Sequence, residues 1–322
     1  MLPPKQDLQI LFAHVAYQLG PRFSLRNTGI KYIQAWNREE LEKNIGTADV
    51  LVISGLWNND VLEKAGKLKF IQSIGAGTDQ FSRDRLKAKG IRLASASGVN
   101  MRAVSDHAMS LILALARRLP EARDNQAKNF WRGMISDLTQ REDELSGKTL
   151  VIIGLGAIGG RLAKLAKAFE MNVIGVKRDP STGKGAADEV HALADLKSLL
   201  PKADFVALTC PLTKETENLI DSAAFSAMKP SAFLVNAARG KCVSETALID
   251  ALSKKTIAGA AIDVTVEEPL PATSPLWTAP NAFLTPHTAG ETRKYEDNVL
   301  DILTDNLDRL WRGEANLRNQ IV

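Results

Sequence analysis

Three residue types suited to acid–base and anion chemistry occupy matching places in the sequence. Arg239 follows the run AFLVNAA, Glu267 and Glu268 follow IAGAAIDV, and His287 follows AFLT and Pro286. Each run is short, apolar and partly β-branched, so each reads as a strand, and the polar residue falls where that strand ends. In open α/β sheets, ligands bind outside the carboxyl ends of the strands. Imidazole exchanges protons near neutrality and serves as a general acid. A carboxylate beside it favours its charged form. A guanidinium clamps a carboxylate with two parallel bonds and polarises an adjacent carbonyl. The set suits proton delivery to a carbonyl oxygen during hydride transfer from a nicotinamide. Taken singly, each of the three reads first as a loop charge facing water; it is their convergence on one sheet edge that favours the functional reading.

A glycine pattern gives the set a cofactor. TLVIIGLGAIGG places Gly154, Gly156 and Gly159 in GxGxxG spacing, with Ala157 and Ile158 between the last two. An apolar strand precedes it and the helix-period segment RLAKLAKAF follows it. That strand–turn–helix setting separates a dinucleotide fingerprint from an ordinary glycine turn. The first glycine permits the turn, the second lets backbone approach a pyrophosphate, and the third lets helix and strand pack closely. The helix N-terminus offers free N–H groups to the phosphates.

The other candidates carry less. His14 ends the first strand and reads as structural. His107 opens a long helix and reads as packing or capping, and His191 lies in a polar connection facing solvent. Cys210 and Cys242 form no CxxC pair, which with four histidines argues against a structural zinc site. Their sparseness fits a reducing, cytoplasmic setting. A net charge of +4 without any run of three basic residues argues against nucleic acid. The start MLPPKQDLQI lacks the pattern of a secretory signal, and no stretch reads as a membrane span.

These residues need a scaffold, and the 322-residue chain has room for about two domains. Apolar runs at 8–15, 50–54, 70–74 and 91–94 predict strands, with helical stretches at 38–44 and 83–89 between them. A second series predicts strands at 149–153, 172–176, 205–209, 232–237, 257–262 and 282–285. Its helices fall at 157–169, 193–200, 222–228 and 245–253. A charged helix at 295–311 closes the chain. Between the two series, 101–118 reads as a helix apolar nearly all round, hence buried between domains, between subunits, or both. The expectation is α/β: two doubly wound parallel-sheet domains, the cofactor domain Rossmann-type over 101–287, and a discontinuous substrate domain over 1–100 and 288–322.

With these motifs the chain resembles the D-isomer-specific 2-hydroxyacid dehydrogenase family, which includes glyoxylate and hydroxypyruvate reductases. The resemblance runs from about Phe70 to the C-terminus. SIGAGTDQF looks like the family's substrate loop, implying that backbone N–H groups around Gly75, Ala76 and Gly77 hold the substrate carboxylate. GVNMRAVSDHAMSLILALAR, with Asn100 matched, resembles the entry to its interface helix, and CPLTKETENLI (Cys210, Pro211 and Thr216 among its residues) resembles a cofactor-side loop. NAARG supplies Ala237, Ala238 and Arg239. DVTVEEPL supplies Asp263, expected near the nicotinamide, and the family's register gives the catalytic role to Glu268 rather than Glu267. PHTAG supplies His287 and Gly290. Asp106 stands where glutamate is usual, and Thr265 where an aromatic is common. Leu56 and Trp57 either line the substrate pocket or pack in the core.

The resemblance implies an active site in an inter-domain cleft and reduction of a small 2-keto acid to a D-2-hydroxy acid, by a homodimer joined through 101–145. It also puts Lys177, followed by Arg178, at the position where NAD-binding members hold an acidic residue. Two cations there suit the 2′-phosphate of NADP. The alternative is that Asp179 reaches the ribose and the cofactor is NAD. Two further readings compete: a dinucleotide-sensing protein like the C-terminal-binding-protein corepressors, and a formate or phosphite dehydrogenase. No disordered tail with partner motifs favours the first. The length is expected to leave no room for an added regulatory domain.

Overall fold

Two sets of short apolar runs become two parallel sheets in the computed structural model, which describes residues 2–322. The chain begins β1 (Gln9–Ala13), α1 (Leu19–Ser24), β2 (Lys31–Ala35), α2 (Arg38–Asn44), β3 (Val50–Ile53), β4 (Phe70–Ser73), α3 (Arg83–Ala88), β5 (Arg92–Ala94). It continues α4 (Met101–Ala116), α5 (Leu119–Ala127), β6 (Thr149–Ile153), α6 (Ala157–Ala168), β7 (Asn172–Lys177), β8 (Glu189–Ala192), α7 (Leu196–Leu199), β9 (Phe205–Leu208). It ends α8 (Ser222–Ala227), β10 (Phe233–Asn236), α9 (Glu245–Ser253), β11 (Gly259–Ile262), β12 (Ala282–Leu284), α10 (Tyr295–Trp311). Two compact units result, Met1–Asn100 with Thr292–Val322, and Met101–Glu291.

The first unit holds a five-stranded parallel sheet in the order β2-β1-β3-β4-β5. Side chains alternate across its faces. Ile10, Phe12, Val50, Val52 and Phe70 join Leu19 and Phe23 of α1 and Val299, Leu300 and Leu303 of α10 in one core. Leu11, Ala13, Leu51, Ile53, Ile71 and Leu93 join Leu41 of α2 and Leu86 of α3 in another. Both faces are therefore covered, as a parallel sheet requires. Each such aliphatic side chain contributes roughly 1.5–3 kcal/mol on burial. Trp57 belongs to the second of these cores, packed on Phe81 at 4.8 Å, and Leu56 packs against the same cluster.

The second unit holds seven parallel strands in the order β12-β11-β10-β9-β6-β7-β8. Val151 and Ile153 face the core under α7, α8 and α9, while Leu150 and Ile152 face the core under α4 and α6. From β6 the chain runs outward through β7 and β8, then returns to lay β9 on the other side of β6. That reversal is the switch point at which α/β sheets bind ligands. Because every pairing is parallel, all seven carboxyl ends share one edge.

The stretch 101–118 is not one straight helix. It stops at Ala116, Arg118 turns left-handed (φ 50°), and α5 starts at Leu119 with Pro120 in its first turn. Most of α4 is buried in its own unit, against α6, β10 and β11. The unsatisfied apolar surface lies further on, at Leu119, Phe130, Trp131, Met134 and Leu138, with Trp131 93% exposed.

Candidate active site

The turn between β6 and α6 has the form of a phosphate cradle. Gly154 takes φ +100°, and a Cβ there would meet the backbone nitrogen of Cys210 at 2.5 Å. A Cβ on Gly159 would meet the Gly154 carbonyl oxygen at 2.3 Å. Gly156 has no neighbouring atom within 4 Å of such a Cβ, so its face is open. Gly160 N–H donates to Gly156 O at 2.7 Å, while the N–H groups of Ala157, Ile158 and Gly159 have no acceptor among the described residues. Three free donors at a helix N-terminus beside an open glycine fit a pyrophosphate.

Further along the edge, Lys177 ends β7 and its Nζ donates to the Gly183 carbonyl at 2.7 Å. Asp179 caps the next turn, its Oδ1 accepting from Ser181 Oγ at 2.6 Å and Ser181 N–H at 3.0 Å. Those bonds hold its carboxyl below the ordinary range. Arg178 is exposed, and its charge helps keep Glu215 low after the larger effect of the Thr213 hydroxyl. In the loop after β9, Thr216 Oγ1 donates to Pro211 O and accepts from Thr213 N–H, both at 2.7 Å. Cys210 is buried in the same core cluster as Cys242. Thr216 and Cys210 thus shape the loop with side chains directed into the protein, which leaves backbone to face a ligand.

At the opposite end of the edge, His287 Nδ1 lies 2.7 Å from Glu268 Oε2. Glu268 Oε1 accepts from Thr265 N–H at 3.0 Å, so both carboxylate oxygens are fixed. The structure pairs His287 with Glu268; Glu267 has no bond to it. Arg239 is exposed and donates from Nη1 to the Ala238 carbonyl at 2.7 Å. Its loop is closed by Asn236, which is buried, accepts from Ala238 N–H and donates to Arg239 O, each at 3.1 Å. A Cβ on Gly240 would lie 2.0 Å from the Thr265 carbonyl, so only glycine lets the Arg239 loop approach the Glu268 loop this closely. Asp263 follows β11, fully buried, and receives Thr285 Oγ1 at 2.6 Å, Thr288 N–H at 3.1 Å and Ala289 N–H at 3.2 Å. Burial pushes its carboxyl up, but these bonds and His107 outweigh that and hold it low. Gly290 follows, half-buried.

Asn236 and Thr285 were not singled out in the sequence, although each stands at a strand's carboxyl end beside a residue that was. His14 is structural: its Nδ1 accepts from Tyr17 N–H at 2.8 Å and its ring stacks on Tyr17. His191 pairs with Glu189 at 3.0 Å on the surface. Among the described residues, no cluster of His, Cys, Asp and Glu could hold a metal ion. No described helix is long and apolar enough to cross a membrane.

In the first unit, the loop after β4 presents a second set of free donors. Gly75 is tied down, its carbonyl accepting from Ala96 N–H at 3.0 Å and its N–H donating to Ser73 Oγ at 3.3 Å. The N–H groups of Ala76 and Gly77 have no acceptor among the described residues. Tyr295 Oη donates to the Ile74 carbonyl at 2.6 Å and anchors the loop from below. Such a pair of adjacent donors suits a carboxylate.

A doubly wound parallel sheet with a glycine phosphate turn at its switch point and a His–Glu pair on the same edge defines a Rossmann-type dinucleotide-binding unit equipped for proton transfer. Comparison with known proteins narrows the class. Residues 109–289 match the model of the D-isomer specific 2-hydroxyacid dehydrogenase NAD-binding domain. The glyoxylate reductase of Thermococcus litoralis is 34% identical over 314 residues, covering 91% of this chain and 94% of that protein. A D-3-phosphoglycerate dehydrogenase of Methanocaldococcus jannaschii is 39% identical over 282 residues, or 86% of this chain. This chain spans about half that relative's length, 52%. The crystal structure of a D-isomer specific 2-hydroxyacid dehydrogenase family protein from Aeromonas salmonicida superposes with a TM-score of 0.85 at 30% identity, over 98% of this chain and 99% of that one. The chain belongs to the D-isomer specific 2-hydroxyacid dehydrogenase family.

Proposed function

We propose that this chain reduces a small 2-keto acid of the glyoxylate or hydroxypyruvate kind to its D-2-hydroxy acid, with NADP favoured over NAD. The observation that carries the reading is the 2.7 Å His287–Glu268 pair on the same sheet edge as the phosphate turn. With Nδ1 engaged by Glu268, the free Nε2 of His287 delivers the proton to the keto oxygen. Arg239 binds the substrate carboxylate and polarises the neighbouring carbonyl. On the first unit, the free N–H groups of Ala76 and Gly77 are themselves suited to a substrate carboxylate. Gly154, Gly156, Ala157, Ile158 and Gly159 hold the pyrophosphate, Arg178 with Lys177 the adenosine side, and Asp263 and the backbone of Cys210, Pro211, Ala237, Ala238 and Gly290 line the remainder. When bound, the dinucleotide supplies the hydride. The second unit is the cofactor domain and the first the substrate domain.

A panel of glyoxylate, hydroxypyruvate, pyruvate, phenylpyruvate and formate, each with both cofactors, tests this. Loss of NADPH with glyoxylate or hydroxypyruvate is expected. Cofactor reduction by formate alone would replace the reading with a one-carbon dehydrogenase.

Arg239→Lys keeps the charge and loses the planar fork. It is expected to raise KM for the keto acid and lower kcat, together by about tenfold or more in kcat/KM. Unchanged kinetics would remove Arg239 from the site.

The exposed side chains Leu119, Phe130, Trp131, Met134 and Leu138 are proposed to be covered by a second copy of the chain. Light scattering at micromolar concentration is expected to return twice the 35.0 kDa chain mass. Trp131→Glu with Met134→Glu should return the single mass. A wild-type monomer would contradict the assignment.

A further inference from the structure

We infer that His107, acting through Thr285 and Asp263, is a positioning residue that holds His287 in place for proton transfer; this rests on the dehydrogenase reading above. His287 has φ 56°, the left-handed region that a residue with a Cβ enters at a cost. Something must hold it there, and its neighbours on both sides converge on Asp263. The Asp263 carbonyl accepts His287 N–H at 2.8 Å. Its carboxylate takes the Thr285 hydroxyl before His287, and the Thr288 and Ala289 N–H groups after it. The loop that presents the imidazole is thus wound around one buried anion.

His107 completes the anion's surroundings from α4, the helix packed on β11. Its Nε2 lies 3.1 Å from Thr285 Oγ1 and 3.4 Å from Asp263 Oδ1. Thr285 has a single hydroxyl proton, and the 2.6 Å bond to a carboxylate, which only accepts, commits it. Nε2 of His107 must therefore carry a hydrogen and donate. The donor chain runs from His107 to Thr285 to Asp263. A buried carboxylate short of one donor has reason to rearrange the groups around it. The groups around this one set the position of His287.

The test compares His107→Leu, which fills the space without a donor, with His107→Gln, which restores an N–H near the Nε2 position. Thr285→Val breaks the chain at its middle with almost no change of shape. On a keto acid that the wild type reduces, His107→Leu and Thr285→Val should each lose roughly 10- to 100-fold in kcat, the scale of a small misplacement of a reacting group. KM for substrate and cofactor should stay within about twofold, because Arg239 and the phosphate turn, Gly154 to Gly159, are untouched. His107→Gln should recover most of the loss, and the Leu–Val double variant should be no worse than the poorer single one. Imidazole nitrogen NMR gives a readout independent of turnover. The His287 Nδ1 signal in His107→Leu should move toward its value in Glu268→Gln, where the charged partner is absent. Full kcat in both His107→Leu and Thr285→Val, or a His287 signal unchanged in folded His107→Leu, would overturn the inference. A wild type that reduces no keto acid would instead defeat the dehydrogenase reading, and the NMR comparison would still decide whether His107 holds His287.

Discussion

His287→Ala is expected to lower kcat for keto-acid reduction by about 10²–10⁴-fold, the usual weight of a general acid. The geometry leaves the histidine little choice of role. Glu268 engages Nδ1 at 2.7 Å and is itself fixed by Thr265 N–H, so the ring is oriented and Nε2 is the atom left to act. A proton delivered there costs no further reorganisation of the pair. Because the imidazole is not among the phosphate-binding groups, KM for the cofactor should change much less than kcat. Glu268→Gln keeps the shape and a hydrogen-bonding side chain but removes the charge that stabilises imidazolium, so it should fall between wild type and His287→Ala. Steady-state kinetics on one keto acid, with circular dichroism to verify folding, checks both. Near-full turnover by His287→Ala would end the proposed mechanism.

A preference for NADPH over NADH of about tenfold to several hundredfold in kcat/KM is the second large effect expected. It follows from charge-assisted contacts of roughly 1.5–3 kcal/mol each to a 2′-phosphate. Lys177 ends β7 and Arg178 follows it, at the position where NAD-binding members hold an acidic residue. The competing carboxylate, Asp179, is engaged by Ser181 in capping its own turn. The two cations should not contribute equally. Lys177 Nζ already serves the Gly183 carbonyl, whereas the Arg178 guanidinium makes no hydrogen bond among the described residues and faces Glu215. Arg178→Ala alone should therefore erode most of the preference, chiefly through KM for NADPH, because the 2′-phosphate is remote from the reacting carbon. Lys177→Met should erode less. Equal kcat/KM for the two cofactors in the wild type would remove the assignment.

What could be read from sequence divides along physical lines. The β6 strand, its glycine turn and α6 were legible because β-branched residues, glycine spacing and a helical period follow one another over 21 positions, 149–169. Arg239 and His287 were legible because each sits one or two steps past an apolar run, whereas Glu268, four steps past IAGAAIDV, was separated from Glu267 only by the family's register. Two edge strands, β2 and β8, were not, although the edge strands β5 and β12 were. β2 (KYIQA) exposes Lys31 and Tyr32, and β8 (EVHA) is half-buried at best, so neither shows the apolar run of a central strand. The helix α1 (LGPRFS) carries a proline and a glycine that read as a turn. The apolar stretch at 101–118 was legible as a buried helix but not for what buries it, which within its own unit is α6, β10 and β11. The role of His107 left no local mark, since Thr285 lies 178 positions away. Long-range polar pairs are set by topology, and topology becomes visible only when the sheet order is known.

The most direct test of the central claim is isotope transfer. The chain is supplied with hydroxypyruvate and NADPH carrying deuterium at both C4 positions, and the product is resolved on a chiral column and weighed. The account predicts D-glycerate with one deuteron at C2. A product without that deuteron, an L-acid, or no reduced product from hydroxypyruvate or glyoxylate would contradict it.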